Sequence, residues 1–238
     1  MTMAAFLTVA LYNVIELNFL IFAVFKQRKG IYFWSLMVAT WGIAPHAIGF
    51  IFKFFQVITL DVLSSTIVGV GWIGMVTGQS LVLYSRLHLV VQDKRQIRWV
   101  LYMIIFDALA LHVPVMTLAL GAEATHSPTF LRTFVLYDKV QLVVFSVQET
   151  IISAIYIYHT IHLLGQTDKL RDKHGNKNDE KPLRKLLTHL ILVNVVVVAL
   201  DITLVAVQFS GHYEIQTTYK TAVYSVKLKM EFSVLNRL

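Results

Sequence analysis

The sequence predicts an all-α membrane protein, a single domain built as a bundle of seven transmembrane helices. Its 238 residues are 56% hydrophobic and only 15% charged, with a mean hydropathy of +0.64. Soluble domains are rarely so apolar, and a run of about twenty apolar residues is long enough to cross a bilayer as a helix. The hydrophobic runs predict spans at residues 4–25, 31–52, 65–87, 99–121, 140–164, 186–210 and 213–235.

The distribution of basic residues predicts the orientation of the bundle. Most of the 21 Lys and Arg residues lie in the first, third and fifth loops or near the C-terminus. Cytosolic loops carry an excess of Lys and Arg, so the N-terminus is predicted to be outside or luminal and the C-terminus cytosolic. This bias requires an odd number of spans, which favours counting residues 213–235, the least apolar run, as the seventh. The net charge of +7 is therefore interpreted as a topology signal, and no nucleic-acid partner is expected.

Composition also disfavours several protein classes. The chain has no cysteine, which excludes a disulfide-stapled ectodomain, cysteine metal sites and cysteine nucleophiles. The N-terminal run lacks a positively charged start, so we interpret it as a retained first helix and not as a cleaved signal peptide. The one long hydrophilic stretch, Thr167–Pro182, is interpreted as a flexible cytosolic loop. The functional surface is therefore expected within the bundle or its short loops.

In the first four spans, isolated polar residues mark faces that turn towards the bundle interior, because lipid does not solvate them. The first span carries Glu16, and the second carries His46 on a face of small residues. The third has a Gly-x-x-x-Gly pair at Gly74 and Gly78, a spacing typical of closely packed helix backbones. On another side of that helix, three residues recur every seven positions: Trp72, Gln79 and Arg86. Arg86 lies near the cytosolic end and is interpreted as an anchor that reaches out to the membrane surface. The fourth span carries Asp107.

The fifth and sixth spans each carry an acid near the middle. At about 100° per residue, one face of the fifth span is polar and consists of Ser146, Glu149, Ser153, Tyr156 and Thr160. In the sixth span, polar residues recur every seven positions and so lie on one stripe: Asn194, Asp201 and Gln208. The seventh span contains four charged residues: Lys220, Lys227, Lys229 and Glu231.

Four ionisable residues are predicted to lie at a similar depth in the membrane: Glu16, Glu149, Asp201 and His46. They would converge on one polar pocket if their spans are neighbours. A buried carboxyl group that keeps its proton can act as a general acid, while a second carboxyl or a histidine acts as the base. The predicted catalytic residues are Glu149, Asp201 and Glu16. The predicted substrate-binding residues are His46, Trp72, Gln79, Asn194, Tyr156, Ser153 and Asp107.

Other interpretations of these residues stay open. Each acid could instead have only a structural role and form an interhelical hydrogen bond. A metal site is disfavoured because His159 and His162, though three residues apart, lie near the cytosolic end, so no metal or other cofactor is predicted. A retinal-type lysine at Lys220 or Lys227 is disfavoured because the third span shows no matching counter-ion pattern. The main functional alternative is a seven-helix receptor or sensor without catalytic activity, and a small transporter is the third possibility.

Three stretches carry a resemblance to a known group of proteins: GQSLVLYSRLHLVV (Gly78–Val91), SVQETIISAIYIYHT (Ser146–Thr160) and VKLKMEFSVLNRL (Val226–Leu238). They resemble fungal seven-helix integral membrane proteins that are often labelled rhodopsin-like. The best-defined functional branch of that group is similar to the membrane-bound terpene cyclases of fungal meroterpenoid pathways, of the ascofuranone type.

The resemblance implies a metal-independent, acid-initiated cyclisation of an epoxidised prenyl chain, classed as a lyase or isomerase reaction. Its implied partners are the lipid bilayer and a lipophilic prenylated substrate, in the endoplasmic reticulum or another internal membrane. On this hypothesis Glu149 or Asp201 protonates the epoxide oxygen. The other carboxyl, or Glu16, accepts the final proton.

Overall fold

A computed structural model describes residues 1–25, 30–55, 61–88, 90–174 and 181–235. In these ranges the chain forms seven α-helices and no strand, which confirms the predicted all-α class. The helices are α1 (Thr2–Val24), α2 (Ile31–Phe54), α3 (Asp61–Leu87), α4 (Lys94–Thr125), α5 (Pro128–His174), α6 (Lys181–Gln208) and α7 (Tyr213–Leu235).

Within the described residues, six helices, α1 to α6, are long and apolar enough to cross a membrane. This finding supports a membrane protein of the predicted helical-bundle type. The seventh helix does not reach the same hydropathy, although it is 23 residues long. Many polar residues of α7 are buried against other helices. The low hydropathy of this helix is therefore compatible with a place inside the bundle.

The helices follow one another around the bundle. Each packs against the next in the chain, and α7 closes the ring against α1. In addition, α7 contacts α2 and α3, and α3 contacts α5, so α3 and α7 lie closest to the bundle axis. We call the end at which α2, α4 and α6 terminate the cavity end, and the opposite end the far end.

The α2–α3 contact depends on the absence of side chains. A Cβ atom at Gly42 would collide with the backbone of Met75, and one at Gly71 would collide with the backbone of His46. At Gly78 it would lie 2.7 Å from the Cα atom of Ala39. The two backbones therefore approach as closely as the glycine spacing in α3 predicts.

The fifth helix extends beyond its predicted span at both ends. Only His126 and Ser127 separate it from α4: His126 ends α4 in the left-handed region, at φ 51°, and Pro128 begins α5. Proline is well suited to the first position of a helix because its φ angle is already helical. At the other end, helix continues to His174, which corrects the prediction of a loop from Thr167 onwards. Residues 175–180 of that predicted loop lie outside the described part of the chain.

Candidate functional site

A cavity of about 600 Å³ opens at the cavity end of the bundle. It is lined by residues of α2, α3, α4, α5 and α7, together with Gln208 at the end of α6. Most of the wall is apolar, with side chains that include Phe50, Val68, Val115, Met116, Leu131 and Phe134. Small-molecule sites in proteins commonly have this size and this mainly apolar lining.

Aromatic rings form one side of the cavity floor. The rings of His46 and Trp72 lie 5.6 Å apart between centroids, and those of His46 and Phe50 lie 4.9 Å apart. The Nδ1 atom of His46 lies 2.8 Å from the hydroxyl of Thr221 on α7, which fixes the plane of the imidazole. This wall therefore combines flat apolar surface with one held imidazole.

A second histidine forms the other side of the floor. His112 on α4 is held at both ring nitrogens, with Nε2 3.1 Å from the Thr77 hydroxyl and Nδ1 2.8 Å from the side-chain amide of Gln141. Its ring also stacks on Phe145, at 5.0 Å between centroids. Three helices thus determine the orientation of this imidazole.

The two carboxylates that line the cavity are each paired with a lysine. Lys220 on α7 donates to Asp138 on α5 at 3.0 Å, and Gln208 donates to the same carboxylate at 2.8 Å. Near the opening, Lys53 pairs with Glu123. A further cavity lysine, Lys139, has its Nζ atom 5.6 Å from the ring centroid of Phe209.

Three polar atoms on the cavity lining have no hydrogen-bond partner among the described residues. They are Nε1 of Trp72, Oε1 of Gln141 and Oε1 of Gln208. Their residues are 7%, 0% and 1% exposed, so the protein itself withholds them from bulk water. Buried polar groups in folded proteins are almost always hydrogen-bonded, so these atoms are unsatisfied polar points beside the cavity.

Deeper in the bundle lies a group of residues that we call the charge centre: Lys227, Tyr224, Glu149 and Asp201. Lys227 on α7 donates to Glu149 on α5 at 2.9 Å and also pairs with Asp201 on α6. The Tyr224 hydroxyl lies 3.5 Å from Glu149. All four residues are at most 2% exposed.

A further ion pair lies towards the far end. Arg86 on α3 pairs with Glu231 on α7, and both are buried. The guanidinium carbon of Arg86 is 5.1 Å from the ring centroid of Tyr156 on α5. Tyr32 on α2 donates its hydroxyl to the backbone oxygen of Glu231 at 3.4 Å. Four helices therefore meet at this pair.

Comparison with known families now places the chain. Residues 1–238 match a family described as a domain of unknown function, DUF7703. The chain belongs to this family. No curated protein and no solved structure matches the sequence. The family description carries no activity.

The DUF7703 structure brings two of the three predicted catalytic residues together and leaves out the third. Glu149 and Asp201 share Lys227 in the charge centre, and neither lines the cavity. Glu16 instead pairs with Lys229 at 2.6 Å on the outside of the bundle, where their side chains are 32% and 39% exposed.

The predicted substrate-binding residues also divide into two groups. His46 and Trp72 line the cavity. The other five do not line it: Gln79, Asn194, Tyr156, Ser153 and Asp107. The first four of these are buried deeper in the bundle, whereas Asp107 is half-buried on α4.

The main residues that sequence reasoning missed lie on α7. Four of them, Lys220, Tyr224, Lys227 and Glu231, recur at intervals of four, three and four, so they share one helix face. This is the periodicity that identified the polar stripes of α5 and α6. Applied to α7, it would have indicated an inner helix rather than a weak span. The partners of Lys227 come from α5 and α6 rather than from the third span, where a retinal-type counter-ion would lie.

In the described part of the chain, no group of three or more His, Cys, Asp or Glu residues could hold a metal ion. His159, one of the two histidines weighed as metal ligands, has its Nε2 atom 3.0 Å from Oε1 of Gln96 on α4.

Proposed function

We propose that this protein binds a neutral, hydroxyl-bearing lipophilic molecule in the cavity. The observation that carries the proposal is the combination of an apolar cavity of about 600 Å³ with three buried, unpaired polar atoms on its lining. Binding of such a molecule is common to both leading functional hypotheses, a cyclase and a receptor or sensor.

The apolar wall accounts for the lipophilic part of the ligand. Transfer of apolar ligand surface from water to this wall is favourable by about 25 cal/mol for each Å² that becomes buried. The cavity carboxylates are already neutralised by lysines, so the site does not call for a cationic ligand.

The unpaired atoms account for the hydroxyl groups of the ligand. Trp72 offers only a donor, and Gln208 offers only its oxygen, because its nitrogen donates to Asp138. Gln141 presents its oxygen or, after a half-turn of the amide, its nitrogen. A hydroxyl group donates and accepts, so it can satisfy either glutamine as well as the indole.

Binding can be tested with a matched set of probes added to the purified protein. Farnesol keeps a free hydroxyl, farnesyl acetate blocks it, and farnesoic acid replaces it with a carboxylate. We expect farnesol to bind best and farnesyl acetate about tenfold more weakly, since a lost hydrogen bond costs about 0.5–1.5 kcal/mol. Tighter binding of farnesoic acid would contradict the proposed neutral ligand and point to Lys139 instead.

Two cavity variants sharpen this test. Trp72→Phe and Gln141→Met each remove one hydrogen-bonding group, and each is expected to reduce the preference for farnesol over farnesyl acetate. Gln148→Met is the matched control, because Gln148 is a buried α5 glutamine that does not line the cavity. If Trp72→Phe keeps the full preference, the indole does not contact the ligand hydroxyl.

A second candidate function, the metal-independent cyclase, is favoured by the aromatic wall of His46, Trp72 and Phe50. Aromatic faces stabilise cations, and ring closure of an opened epoxide passes through carbocations. The proposed substrate is an epoxidised farnesyl-type meroterpenoid. If the reaction takes place in the cavity, the proton-transferring groups have to come from its lining, which includes His46, His112 and Asp138 but neither Glu149 nor Asp201.

Conversion of an epoxyfarnesyl phenol by membranes that contain the protein tests this second function. Loss of product in His112→Gln and Asp138→Asn, with product retained in Glu149→Gln, would assign the chemistry to the cavity. The opposite pattern would assign it to the acids of the charge centre. Binding without conversion by any variant would leave the receptor or sensor as the function.

The orientation and the number of spans belong to the same proposal. We propose that α7 is the seventh span, that the N-terminus is outside or luminal, and that the C-terminus is cytosolic. The cavity then opens on the luminal side of the endoplasmic reticulum or another internal membrane. A fluorescent reporter fused to the C-terminus should be degraded by protease added to the cytosolic face, whereas protection would reverse the orientation.

A further inference from the structure

The charge centre contains one more carboxylate than ammonium group. Glu149 and Asp201 each carry a negative charge when ionised, and Lys227 supplies the single positive charge between them. All three are at most 2% exposed. A net charge buried in the hydrocarbon region is costly, because neither water nor lipid solvates it there.

Polar atoms without partners lie at the same level. In the described residues, Oδ2 of Asp201, the Ser153 hydroxyl and both amide atoms of Gln79 lack hydrogen-bond partners. Gln79 and Ser153 are 1% and 0% exposed. Ser153 and Gln79 belong to no ion pair, whereas Asp201 pairs with Lys227 through its other oxygen.

The helix contacts place Gln79 opposite the charge centre. Trp72, Gln79 and Arg86 are seven residues apart and share one face of α3. Trp72 lies 5.9 Å from the ring of Tyr224, and Arg86 pairs with Glu231, so the ends of this stripe both meet α7. Gln79 is midway between them and therefore faces α7 near Lys227.

Ser153 is placed by the same reasoning on α5. It lies one helical turn beyond Glu149, which binds Lys227, and one turn before Tyr156, whose ring is beside Arg86. Its hydroxyl is therefore between the charge centre and the Arg86–Glu231 pair. The unpaired oxygens and the surplus negative charge occupy one region of the bundle.

The titratable groups on the surrounding helices have other partners. Arg86 of α3 pairs with Glu231 of α7, and Glu16 of α1 pairs with Lys229 of α7. The histidines of α2 and α4, His46 and His112, are hydrogen-bonded around the cavity floor. Tyr224 faces Glu149 as a neutral phenol, and Asp107 of α4 would only add negative charge. None of these groups supplies the missing positive charge.

We infer that the charge centre binds one monovalent cation, either a proton or a sodium ion. A single positive charge neutralises the surplus carboxylate, and the oxygens of Asp201, Ser153 and Gln79 are the donors that a hard cation prefers. The site lies between the cavity and the Arg86–Glu231 pair. Its occupancy therefore determines how firmly Glu149 and Asp201 hold Lys227 and α7.

Thermal unfolding of the purified full chain tests the inference without knowledge of the cavity ligand. Unfolding is compared in sodium chloride and in N-methylglucamine chloride at equal ionic strength, and at several pH values without sodium. A ligand that binds only the folded state changes the unfolding constant by about tenfold for each tenfold change in its concentration above Kd. Stability is expected to rise with sodium at fixed pH if the cation is sodium, and to fall with rising pH if it is a proton.

Variants show whether the charge centre causes the dependence of thermal stability on sodium or pH. Asp201→Asn and Glu149→Gln each remove the surplus charge and are expected to abolish the dependence on the cation, so either one suffices if the other fails to fold. Glu16→Gln makes the same chemical change outside the bundle and should keep the dependence. A wild-type protein whose unfolding responds to neither sodium nor pH would overturn the inference. So would an unaltered dependence in Asp201→Asn or Glu149→Gln.

Discussion

The two ends of the bundle use the same kinds of ion pair in different surroundings. At the cavity end, the side chains of Lys53, Glu123 and Asp138 are 29%, 21% and 14% exposed, and their pairs lie beside an open space. Towards the far end, Arg86 and Glu231 are 1% and 0% exposed. A charged residue at the cavity can exchange its ion-pair partner for a ligand or water, whereas a charged residue in a deep pair has no other group to bind.

The difference shows that similar contacts serve different purposes. Around the cavity they keep charged groups neutralised while the lining stays adaptable. Deeper in the bundle they join α7 to α3, α5 and α6, since each inner charge on α7 is paired with a residue of another helix. The following experiments test this contrast, from the largest expected effect to the smallest.

The largest effects are expected from the deep pairs, and Arg86→Met tests the first of them. It leaves Glu231 buried with its charge uncompensated, and removal of one partner of a buried pair typically costs about 3–5 kcal/mol. The free energy of unfolding, from thermal or denaturant unfolding in detergent, measures the loss. The double variant Arg86→Met with Glu231→Leu should recover much of that stability. Equal losses in the single and double variants would show that packing, rather than charge, is responsible.

Replacement of the two paired lysines of α7 compares the two regions directly. Lys227→Met leaves two buried carboxylates and is expected to cost about 3–5 kcal/mol. Lys220→Met should cost less, about 1–3 kcal/mol, because Gln208 still donates to Asp138 and the cavity admits water. Both values come from the same unfolding measurement. A larger loss for Lys220 would reverse the proposed contrast.

The close contact between α2 and α3 predicts that an added methyl group destabilises the protein at Gly71 more than at Gly74. Gly71→Ala places a methyl group against the His46 backbone and should cost about 1–3 kcal/mol through overpacking. Gly74→Ala is the matched control, since the nearest atom to its new methyl group, Cα of Gly42, is 3.3 Å away. Thermal unfolding of the two variants compares them. Helix propensity favours alanine over glycine at both positions, so equal destabilisation of the two variants would show that the closer approach at Gly71 adds no cost of its own.

The smallest effect is expected on the outer surface. Joint replacement of Glu16 and Lys229 by glutamine removes both partners of a pair that is about one-third exposed. The change should stay within about 1 kcal/mol in either direction, because exposed pairs contribute little and no lone charge remains. Thermal unfolding measures the change. A loss comparable to that of Arg86→Met would place this pair among the deep ones.

Local pattern predicted much of this structure. Apolar length correctly indicated the all-α class and the long apolar helices. The seven-residue repeats identified inward residues such as Trp72, Asn194 and Asp201, because periodicity along a helix is a property of adjacent sequence. Arg86 belongs to such a repeat, but the interpretation as a snorkelling anchor was wrong, since the residue is buried beside Glu231. The helix ends were less accurate where capping geometry decided them, as at His126 and Pro128.

Pairing between helices could not be predicted in the same way. Lys227 meets Glu149 and Asp201 across separations of 78 and 26 residues, and no local signal carries that contact. Glu16 resembles the other acids in depth, yet its helix turns it away from them. The cavity depends on the joint placement of five helices and the end of a sixth, which a single sequence does not determine.

The charged face of α7 has a consequence for biogenesis. A lysine or acid at the centre of a helix that enters the bilayer alone costs about 2.5–3.5 kcal/mol, and α7 carries Lys227 between Lys220 and Glu231. Its partners on α3, α5 and α6 are all synthesised earlier. If α7 is the seventh span, as proposed, its insertion therefore depends on a groove already formed by those helices, and deletion of α3 should leave α7 outside the hydrocarbon layer.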